Sequence, residues 1–378
     1  MKNRPSWTAR IAHAWKRRSI IWLTGVRRSG KTTLCRSLPG VRYFDCELPS
    51  VRRELEDPES FLRSNSGARL VLDEIHRLAD PAALLKIAAD HFPRTRIVAT
   101  GSSTLGASTK FRDTLAGRKA EVWLTPMTLD DARAFGDEGI PHRVTHGGLP
   151  PFFLTDRVPE RDFQEWLDAF WAKDIQELFR LERRHAFQRL FELLLASSGG
   201  IFEATRFARA CEVSRQTIQN YVAVLEATFV AHVVRPFSTG KPVELVAAPK
   251  VYGFDTGFVA YYRGWSPPRR EDFGLLWEHL VLNEMHAASQ ERAVHYWRDK
   301  QGHEVDFVLA RRRSAPTVVE CKWRSADYDA ANLRIFRGRY PKGANYVAAE
   351  DVARPFERRF GDQRVQFIGL ADVAGLAS

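Results

Sequence analysis

The pattern of hydrophobic and polar positions predicts an α/β fold for the N-terminal part of the chain. Apolar runs at Ile20–Leu23 and Leu70–Leu72 are uninterrupted, as in parallel strands that are covered on both faces. A third run, RIVATGSS, follows the helical stretch PAALLKIAADHF, and a fourth extends from Glu121 to Leu124. Strands that alternate with helices predict a parallel sheet with helices packed on its faces.

The first strand leads directly into a glycine-rich segment, GVRRSGKTT. It matches the phosphate-binding pattern G-x-x-x-x-G-K-[ST]. Glycines let backbone N–H groups turn towards phosphates, and the helix that begins there directs its positive end at them. The pattern predicts that a nucleoside triphosphate is bound by the following residues: Gly25, Val26, Arg27, Arg28, Ser29, Gly30, Lys31, Thr32 and Thr33.

Two acids at the end of the second strand complete the predicted nucleotide site. Asp73 is expected to hold Mg²⁺ together with the Thr32 hydroxyl, and Glu74 to polarise the attacking water. Lys31 is expected to reach the β- and γ-phosphate oxygens. Ser102, at the tip of the third strand, can reach both the γ-phosphate and the water. The adjacent glutamate favours hydrolysis by water and argues against a kinase or a small GTPase.

Arg118 lies just before the fourth strand, in the segment TLAGRKAEVWL. An arginine at this place could act as an arginine finger on the nucleotide of a neighbouring subunit, which would imply a homo-oligomer. The alternative is a surface arginine among many.

The middle of the chain begins at a Gly/Pro break, HGGLPPFF, and continues with two helical patterns. The segment after Gly199 and Gly200 predicts a short helix, a turn, a second helix capped by Ser214, and two alternating strands. Such an order resembles a winged-helix module. The apolar positions of the second helix are expected in the core: Ile218, Tyr221, Val222 and Leu225.

The opposite face of that helix carries side chains that suit base edges in the major groove of DNA. DNA contact is therefore predicted for Arg215, Gln216, Gln219 and Asn220. The alternative is a module that only packs against the rest of the protein.

A helix and two strands follow the linker RGWSPPRREDF near the C-terminus. In VVECKW the side chains of Glu320 and Lys322 share one strand face, and Asp306 lies on one face of the neighbouring strand. Glu278 falls within an apolar helical stripe, so its carboxylate needs a compensating charge or a proton. A Mg²⁺ ion shared with Asp306 and Glu320 would supply that charge. Alternatively, Glu278 pairs with Lys322 or an arginine, and the fold has lost catalysis.

The formal net charge of +11 favours a polyanionic partner such as DNA, although scattered arginines also suit an ordinary solvated surface. No stretch approaches the roughly 20 apolar residues of a membrane-spanning helix. The four cysteines form no C-x-x-C pair, which favours a reducing, cytoplasmic location.

Together the segments GVRRSGKTT, LVLDEIHRL, ATGSS and LAGR…LTPMTLDDA resemble the AAA-type ATPases of bacteria and archaea that carry an uncharacterised C-terminal domain. The resemblance implies ATP and Mg²⁺ as cofactors. It also implies that the ATPase residues are Lys31, Thr32, Asp73, Glu74, Ser102 and Arg118. The C-terminal residues resemble the PD-(D/E)xK nuclease pattern, with Val305 where that pattern has proline.

These observations predict three parts: a P-loop AAA-type ATPase domain (1–145), a helical and winged-helix domain (146–264), and an α/β restriction-endonuclease-like domain (265–378). The expected function is ATP hydrolysis coupled to nucleic-acid binding or processing. Alternatives are an ATP-dependent switch that acts through protein contacts with an inert nuclease fold, an active Mg²⁺-dependent DNA nuclease in defence or repair, and a sequence-specific regulator. The protein partner of the first alternative, the switch, is unknown.

Overall fold

A computed structural model gives the structure of the chain. It describes residues 3–101, 109–136, 139–158, 160–176, 183–238, 248–265, 267–310 and 314–377.

Five parallel strands form the N-terminal sheet in the order β2-β3-β4-β1-β5. Their bounds are Ile20–Thr24 (β1), Val41–Asp45 (β2), Arg69–Asp73 (β3), Arg96–Thr100 (β4) and Lys119–Trp123 (β5). The fourth apolar run thus forms a strand that begins two residues before Glu121 and ends one residue before Leu124. Because parallel strands end at the same edge of the sheet, the segments after β1, β3 and β4 meet there.

Helices cover both faces of this sheet, as the uninterrupted apolar strands predict. Side chains of β1 alternate between two cores: Ile20 and Trp22 pack on one face, and Ile21 and Leu23 on the other. The helices are Pro5–Ala14 (α1), Lys31–Ser37 (α2), Pro49–Glu54 (α3), Pro58–Ser64 (α4), Pro81–His91 (α5), Thr109–Thr114 (α6) and Leu129–Phe135 (α7).

The middle of the described chain is mostly helical. Its helices are Gly139–His146 (α8), Pro150–Phe153 (α9), Glu160–Phe170 (α10), Arg184–Ala196 (α11), Ala204–Ala210 (α12), Arg215–Ala227 (α13) and Thr256–Tyr262 (α14). A π-helical turn, Trp171–Gln176, directly continues α10. Its strands are Gly200–Ile201 (β6), Ala231–Pro236 (β7) and Lys250–Gly253 (β8).

The C-terminal part has three helices and six strands among its described residues. The helices are Phe273–Ser289 (α15), Ala331–Arg339 (α16) and Leu370–Ala377 (α17). The strands are Val294–Arg298 (β9), Glu304–Leu309 (β10), Thr317–Lys322 (β11), Asn345–Ala349 (β12), Phe356–Phe360 (β13) and Gln363–Ile368 (β14). Strands β10 and β11 are antiparallel neighbours, and β11 pairs in parallel with β12.

One nine-stranded sheet joins the middle and C-terminal parts, in the order β13-β14-β12-β11-β10-β9-β7-β8-β6. The join is a short parallel pairing of β7 with β9, at Arg235↔His295 and Pro236↔Tyr296. The predicted boundary after residue 264 therefore divides strands that share one sheet. The division into three domains stays a prediction.

Helix α13 has the orientation that its sequence predicts. The Ser214 hydroxyl accepts a hydrogen bond from the backbone N–H of Thr217 at 3.0 Å, which caps the helix. The four predicted core side chains of this helix are buried. The first of the two expected strands is β7, which pairs in antiparallel fashion with β8. The second, expected after the turn STGKP and before residue 247, lies outside the described residues.

Helix α15 connects the C-terminal part to the N-terminal part. Its Trp277 indole donates to the Ala348 carbonyl of β12 at 2.9 Å. Towards the other end, Glu284 accepts from the backbone N–H of Leu129 at 2.8 Å, and Asn283 donates to the Pro126 carbonyl at 3.2 Å. One helix therefore contacts the nine-stranded sheet and the segment that follows the five-stranded sheet.

Burial of Glu284 at this contact makes the free energy of unfolding depend on pH. Burial raises the pKa of Glu284 from 4.5 to about 7, so the folded chain keeps a proton there that the unfolded chain has released. This contribution to stability is present below pH 4.5 and is lost as pH rises to about 7. We expect Glu284→Gln to flatten the decline in the free energy of unfolding over this range by about 3 kcal/mol.

Urea unfolding followed by circular dichroism between pH 4.5 and 7.5 measures the effect. Glu357→Gln, on the exposed strand β13, is the matched control and should leave the decline unchanged. Parallel stability curves for wild type and Glu284→Gln would contradict the prediction.

Candidate functional site

The loop between β1 and α2 has the backbone that a phosphate-binding loop requires. Gly25 has a φ of 144°, and an added Cβ there would lie 2.3 Å from the Leu124 carbonyl oxygen. Only glycine fits this approach to the end of β5. Gly30 adopts the left-handed conformation, with a φ of 94°, and immediately precedes the first residue of α2.

A cavity of about 440 Å³ opens at this loop. Of the predicted nucleotide-binding residues, Gly25, Arg27, Arg28, Gly30, Lys31, Thr32 and Thr33 line it, whereas the described Val26 and Ser29 are buried beside it. The Lys31 ammonium donates to the carbonyls of Gly25 and Val26 at 2.9 and 3.0 Å. Burial lowers the pKa of Lys31, against the opposing charges of Glu74 and Asp174.

The two acids after β3 have different surroundings. Asp73 is buried, and its carboxylate accepts hydrogen bonds from the hydroxyls of Tyr43 and Thr100. Glu74 faces the cavity, and its carboxylate lies 3.2 Å from Nδ1 of His76. Burial alone would raise the pKa of Glu74, but His76 and Lys31 lower it below its ordinary value. Glu74 is therefore ionised at neutral pH.

Glu74 also has a strained backbone, with a φ of 53°. Its N–H donates to the Thr100 hydroxyl at 3.0 Å, and that hydroxyl in turn donates to Asp73. Thr100, at the tip of β4, thus fixes both acids. A left-handed non-glycine residue costs free energy that the surroundings must offset, and such residues cluster at functional sites.

The other two predicted ATPase residues, Arg118 and Ser102, are not seen at the cavity. Arg118 is not a lining residue of the cavity: its guanidinium forms two hydrogen bonds, of 2.7 and 3.1 Å, with the Asp90 carboxylate of α5. Its action on a neighbouring subunit stays a prediction. Ser102 lies outside the described residues, as does Ser103.

The C-terminal carboxylates gather where the strand faces predict. The Asp306 carboxylate accepts from the backbone N–H of Cys321 at 2.8 Å, across the β10–β11 pair. Lys322 lies 3.5 Å from Glu320 and 3.9 Å from Asp306. Glu278, on α15, is near enough for the charge of Asp306 to raise its pKa, but its contacts are with other residues.

The charge that compensates Glu278 comes from Lys250 of β8 and not from Lys322. The Lys250 ammonium lies 3.7 Å from the Glu278 carboxylate and forms a closer ion pair with Glu304. The Tyr252 hydroxyl also donates to Glu278. Within the part of the chain that the structure describes, no group of three or more His, Cys, Asp or Glu side chains is arranged to hold a metal ion.

Glu278, Glu304, Asp306 and Glu320, with the cations Lys250 and Lys322, form what we call the acidic cluster. Burial has the largest effect on the pKa values of its members. It raises the pKa of Glu278 to about 7 and that of Glu320 well above its ordinary value, and the charge of Asp306 adds to both. Burial alone would lower the pKa of Lys250, yet Glu278 and Glu304 raise it above the ordinary value. Lys250 is therefore a permanently charged ammonium inside the cluster.

The predicted DNA-contacting face of α13 is solvent-exposed. Arg215, Gln216, Gln219 and Asn220 all lie on the surface, and Gln216 donates to the Asn220 side chain at 3.1 Å. Their contact with DNA stays a prediction.

The chain matches three family models in succession. Residues 17–132 match an AAA domain, residues 137–269 match a domain of unknown function (DUF8612), and residues 273–370 match a second domain of unknown function (DUF4143). The chain thus contains an AAA domain, followed by two domains of unknown function, the second of them at its C-terminal side. The match of the AAA domain supports ATP binding and ATPase activity in general.

Similar proteins span most of the chain. Uncharacterized proteins of Mycobacterium bovis and Mycobacterium tuberculosis are each 29% identical over 369 residues, which is 91% of this chain and 81% of theirs. Among solved structures, a Walker-type ATPase of Pyrococcus abyssi aligns with 70% of this chain and 96% of its own, at 16% identity and a TM-score of 0.44. A signal transduction ATPase of Pyrococcus horikoshii aligns with 74% and 46%, at 12% identity and a TM-score of 0.27.

Four residues of the candidate sites were not predicted from the sequence. His76 could have been found, because it follows Glu74 by two positions and is the only titratable base in DEIH. Thr100 could also have been predicted, because it ends a predicted strand beside the site. Asp174 and Lys250 carry no such signal, since both come from segments with no recognisable motif.

Lys250 offers a test of the acidic cluster. We expect Lys250→Met to lower the free energy of unfolding by about 3–5 kcal/mol, because Glu278 and Glu304 lose a buried cation. Lys300→Met, on the exposed turn between β9 and β10, should cost no more than about 0.5 kcal/mol. Urea unfolding at neutral pH measures both, and equal midpoints would show that the Lys250 ammonium does not compensate the cluster.

Proposed function

We propose that this protein binds ATP with Mg²⁺, hydrolyses it, and couples its nucleotide state to nucleic-acid binding through helix α13. The observation that carries the first part is the cavity at the loop before α2, which Lys31 and Thr32 line on one side and Glu74 on the other. A triphosphate there would face backbone N–H groups, a helix N-terminus and a lysine.

A second, more apolar cavity of about 320 Å³ supports a nucleotide as the ligand. It shares Gly30, Thr33, Pro150 and Pro151 with the cavity at the loop before α2, which we call the phosphate cavity, so the two cavities are contiguous. Its other walls include Leu34, Phe135 and Leu154. Planar purine bases bind between such apolar side chains, while the attached phosphates require polar donors. The adjoining cavities therefore match the two chemically different halves of ATP.

Hydrolysis requires a group that orients water at the terminal phosphate. Glu74 is ionised and faces the cavity, and the Thr100 bond to its backbone fixes its position. In the proposed reaction Glu74 polarises the water while Lys31 stabilises charge on the transferred phosphoryl group. His76 holds the Glu74 carboxylate in place.

The donor set also suits Mg²⁺, which takes few protein ligands and keeps several waters. Thr32 lines the cavity and would hold the ion through its hydroxyl. Asp73 does not line the cavity, and each of its oxygens accepts one hydrogen bond, from Tyr43 or Thr100. Asp73 would therefore act on the ion through its charge and through a bridging water, because each oxygen keeps a second lone pair. When bound, the ion would neutralise negative charge on the phosphates.

Two substitutions separate binding from hydrolysis. We expect Lys31→Ala to weaken ATP binding at least about tenfold, because a charge-assisted contact to phosphate is lost. Glu74→Gln should keep binding within about threefold and lower turnover by about 10²–10⁴-fold, because only the water-orienting base is removed. Binding is measured with labelled ATP, and turnover by phosphate release.

Matched controls come from exposed positions of the same domain. Lys86→Ala on α5 and Glu59→Gln on α4 remove the same charges outside both cavities. Equal ATP binding by wild type and Lys31→Ala would refute the proposed nucleotide site. Undiminished turnover by Glu74→Gln would refute only the role of that residue.

The nucleic-acid part of the proposal rests on α13. Its exposed face carries one cation and three amides, and the chain as a whole has a net charge of +11. Arginine and amide side chains on an exposed helix suit base edges, while the overall positive field attracts the phosphate backbone.

A second candidate function is a switch whose nuclease-like part is inert. The ion pair of Lys250 with Glu278 favours this function. The ammonium of Lys250 lies against the carboxylate that would otherwise require a divalent cation. A lysine in this place supplies charge but no ligand-exchange position for water or phosphate. DNA cleavage is thus the less supported use of the cluster formed by Glu278, Asp306, Glu320 and Lys322.

One DNA assay distinguishes these functions. We expect wild type to retain labelled duplex DNA without cleaving it in Mg²⁺ or Mn²⁺, because Lys250 compensates the acidic cluster. The double variant Arg215→Ala, Gln216→Ala should weaken retention about tenfold, whereas Arg133→Ala on the exposed face of α7 should not. Cleavage that Asp306→Ala and Lys322→Ala abolish would instead identify an active nuclease, and absence of retention would favour a protein-binding switch.

A further inference from the structure

The segment Glu160–Gln176, which comprises α10 and the π-helical turn, lies directly against the phosphate-binding loop. The Trp166 indole donates to the backbone carbonyl of Arg27 at 3.1 Å. Eight residues later, the Asp174 carboxylate lies 3.4 Å from the Arg27 guanidinium. Both ends of Arg27, its backbone and its side chain, are therefore held by one segment from the middle of the chain.

Asp174 lines the same cavity as Lys31 and Glu74. Its side chain is 15% exposed, and Arg27 and Lys31 are the cations whose charges act on it. Burial raises the pKa of Asp174, while these two cations lower it. A carboxylate is thus placed among the cations that would face the phosphates of a nucleotide.

Two anions cannot share these cations without cost. A triphosphate brings several negative charges into the cavity, and like charges a few ångströms apart repel strongly in a partly desolvated site. Arginine binds phosphate in the same forked geometry with which it binds carboxylate. Phosphate and Asp174 therefore compete for Arg27.

A continuous set of aromatic contacts leads from this turn to α13. Trp171, three residues before Asp174, packs against Phe187 of α11 with ring centroids 5.3 Å apart. Phe187 in turn packs against Tyr221 of α13, also at 5.3 Å. Tyr221 lies on the buried face of the helix whose exposed face carries Arg215 and Gln216. A displacement of the turn thus has a packed route to α13.

We propose that Asp174 is a nucleotide sensor: phosphates that enter the cavity displace its carboxylate from Arg27, and the shift of the π-helical turn changes the packing of α13. This inference rests on the proposed function and names the residue that links ATP binding to the output helix. Asp174 lowers ATP affinity in this scheme, because its contact with Arg27 must be broken for binding.

The test is ATP affinity in a double-mutant cycle. Asp174→Asn, which keeps the side-chain shape, should tighten ATP binding about tenfold in the presence of Arg27. In an Arg27→Gln background the same change should have about a third of that effect or less, because the contested cation is absent. Asp168→Asn on α10, whose exposed carboxylate pairs with Arg184, is the matched control and should not alter affinity.

Hydrogen exchange supplies a second readout that a purely structural role would not change. In wild type, ATP should alter the exchange of amides in residues 171–176 and 215–227, and in Asp174→Asn this response should fall by at least about half. The same comparison is repeated in a Glu74→Gln background, which is expected to retain ATP without hydrolysing it, and the same result is expected there.

The outcomes separate the two proposals. Tight ATP binding that is unchanged by Asp174→Asn, or an undiminished exchange response in that variant, would overturn the sensor and leave the ATP site intact. Equal binding by wild type and Lys31→Ala would overturn the ATP site itself, and the sensor with it.

Discussion

Buried charge must be compensated, and in this protein the compensating residue repeatedly comes from a distant part of the chain. Arg27 of the phosphate-binding loop is held by Asp174, 147 positions away. Glu278 of α15 is neutralised by Lys250 of β8, and Arg4 near the N-terminus pairs with buried Asp131. Removing one partner of such a pair costs several kcal/mol. The relative positions of the N-terminal, middle and C-terminal parts are therefore fixed by electrostatics as well as by packing.

The same constraint connects the two candidate sites. The phosphate cavity takes one wall from the loop after β1 and another from the segment that follows the AAA domain. The acidic cluster likewise combines β8 of the middle part with α15, β10 and β11. Neither site is completed by a single matched family region, because each takes residues from two of them. This arrangement suits a protein whose nucleotide state alters its output.

Much of the AAA domain was predictable because its signals are local. Uninterrupted apolar strands predicted a sheet that is covered on both faces. The spacing of Gly25, Gly30 and Lys31 predicted the phosphate-binding loop between β1 and α2. The burial of Ile218 and the exposure of Arg215 followed from helical periodicity alone. The alternation of side chains along the strands also predicted that Asp306, Glu320 and Lys322 lie close together.

By itself, the sequence determined that Glu278 needs a compensating charge, and that a phosphate-binding loop precedes α2. It could not name Lys250 or Asp174 as partners, nor show that β7 pairs with β9 to join two predicted domains in one sheet. Periodicity and turn geometry are properties of neighbouring residues, so they are written in short segments of sequence. Which distant charge enters a buried site depends on how whole elements pack, and only the tertiary structure decides that.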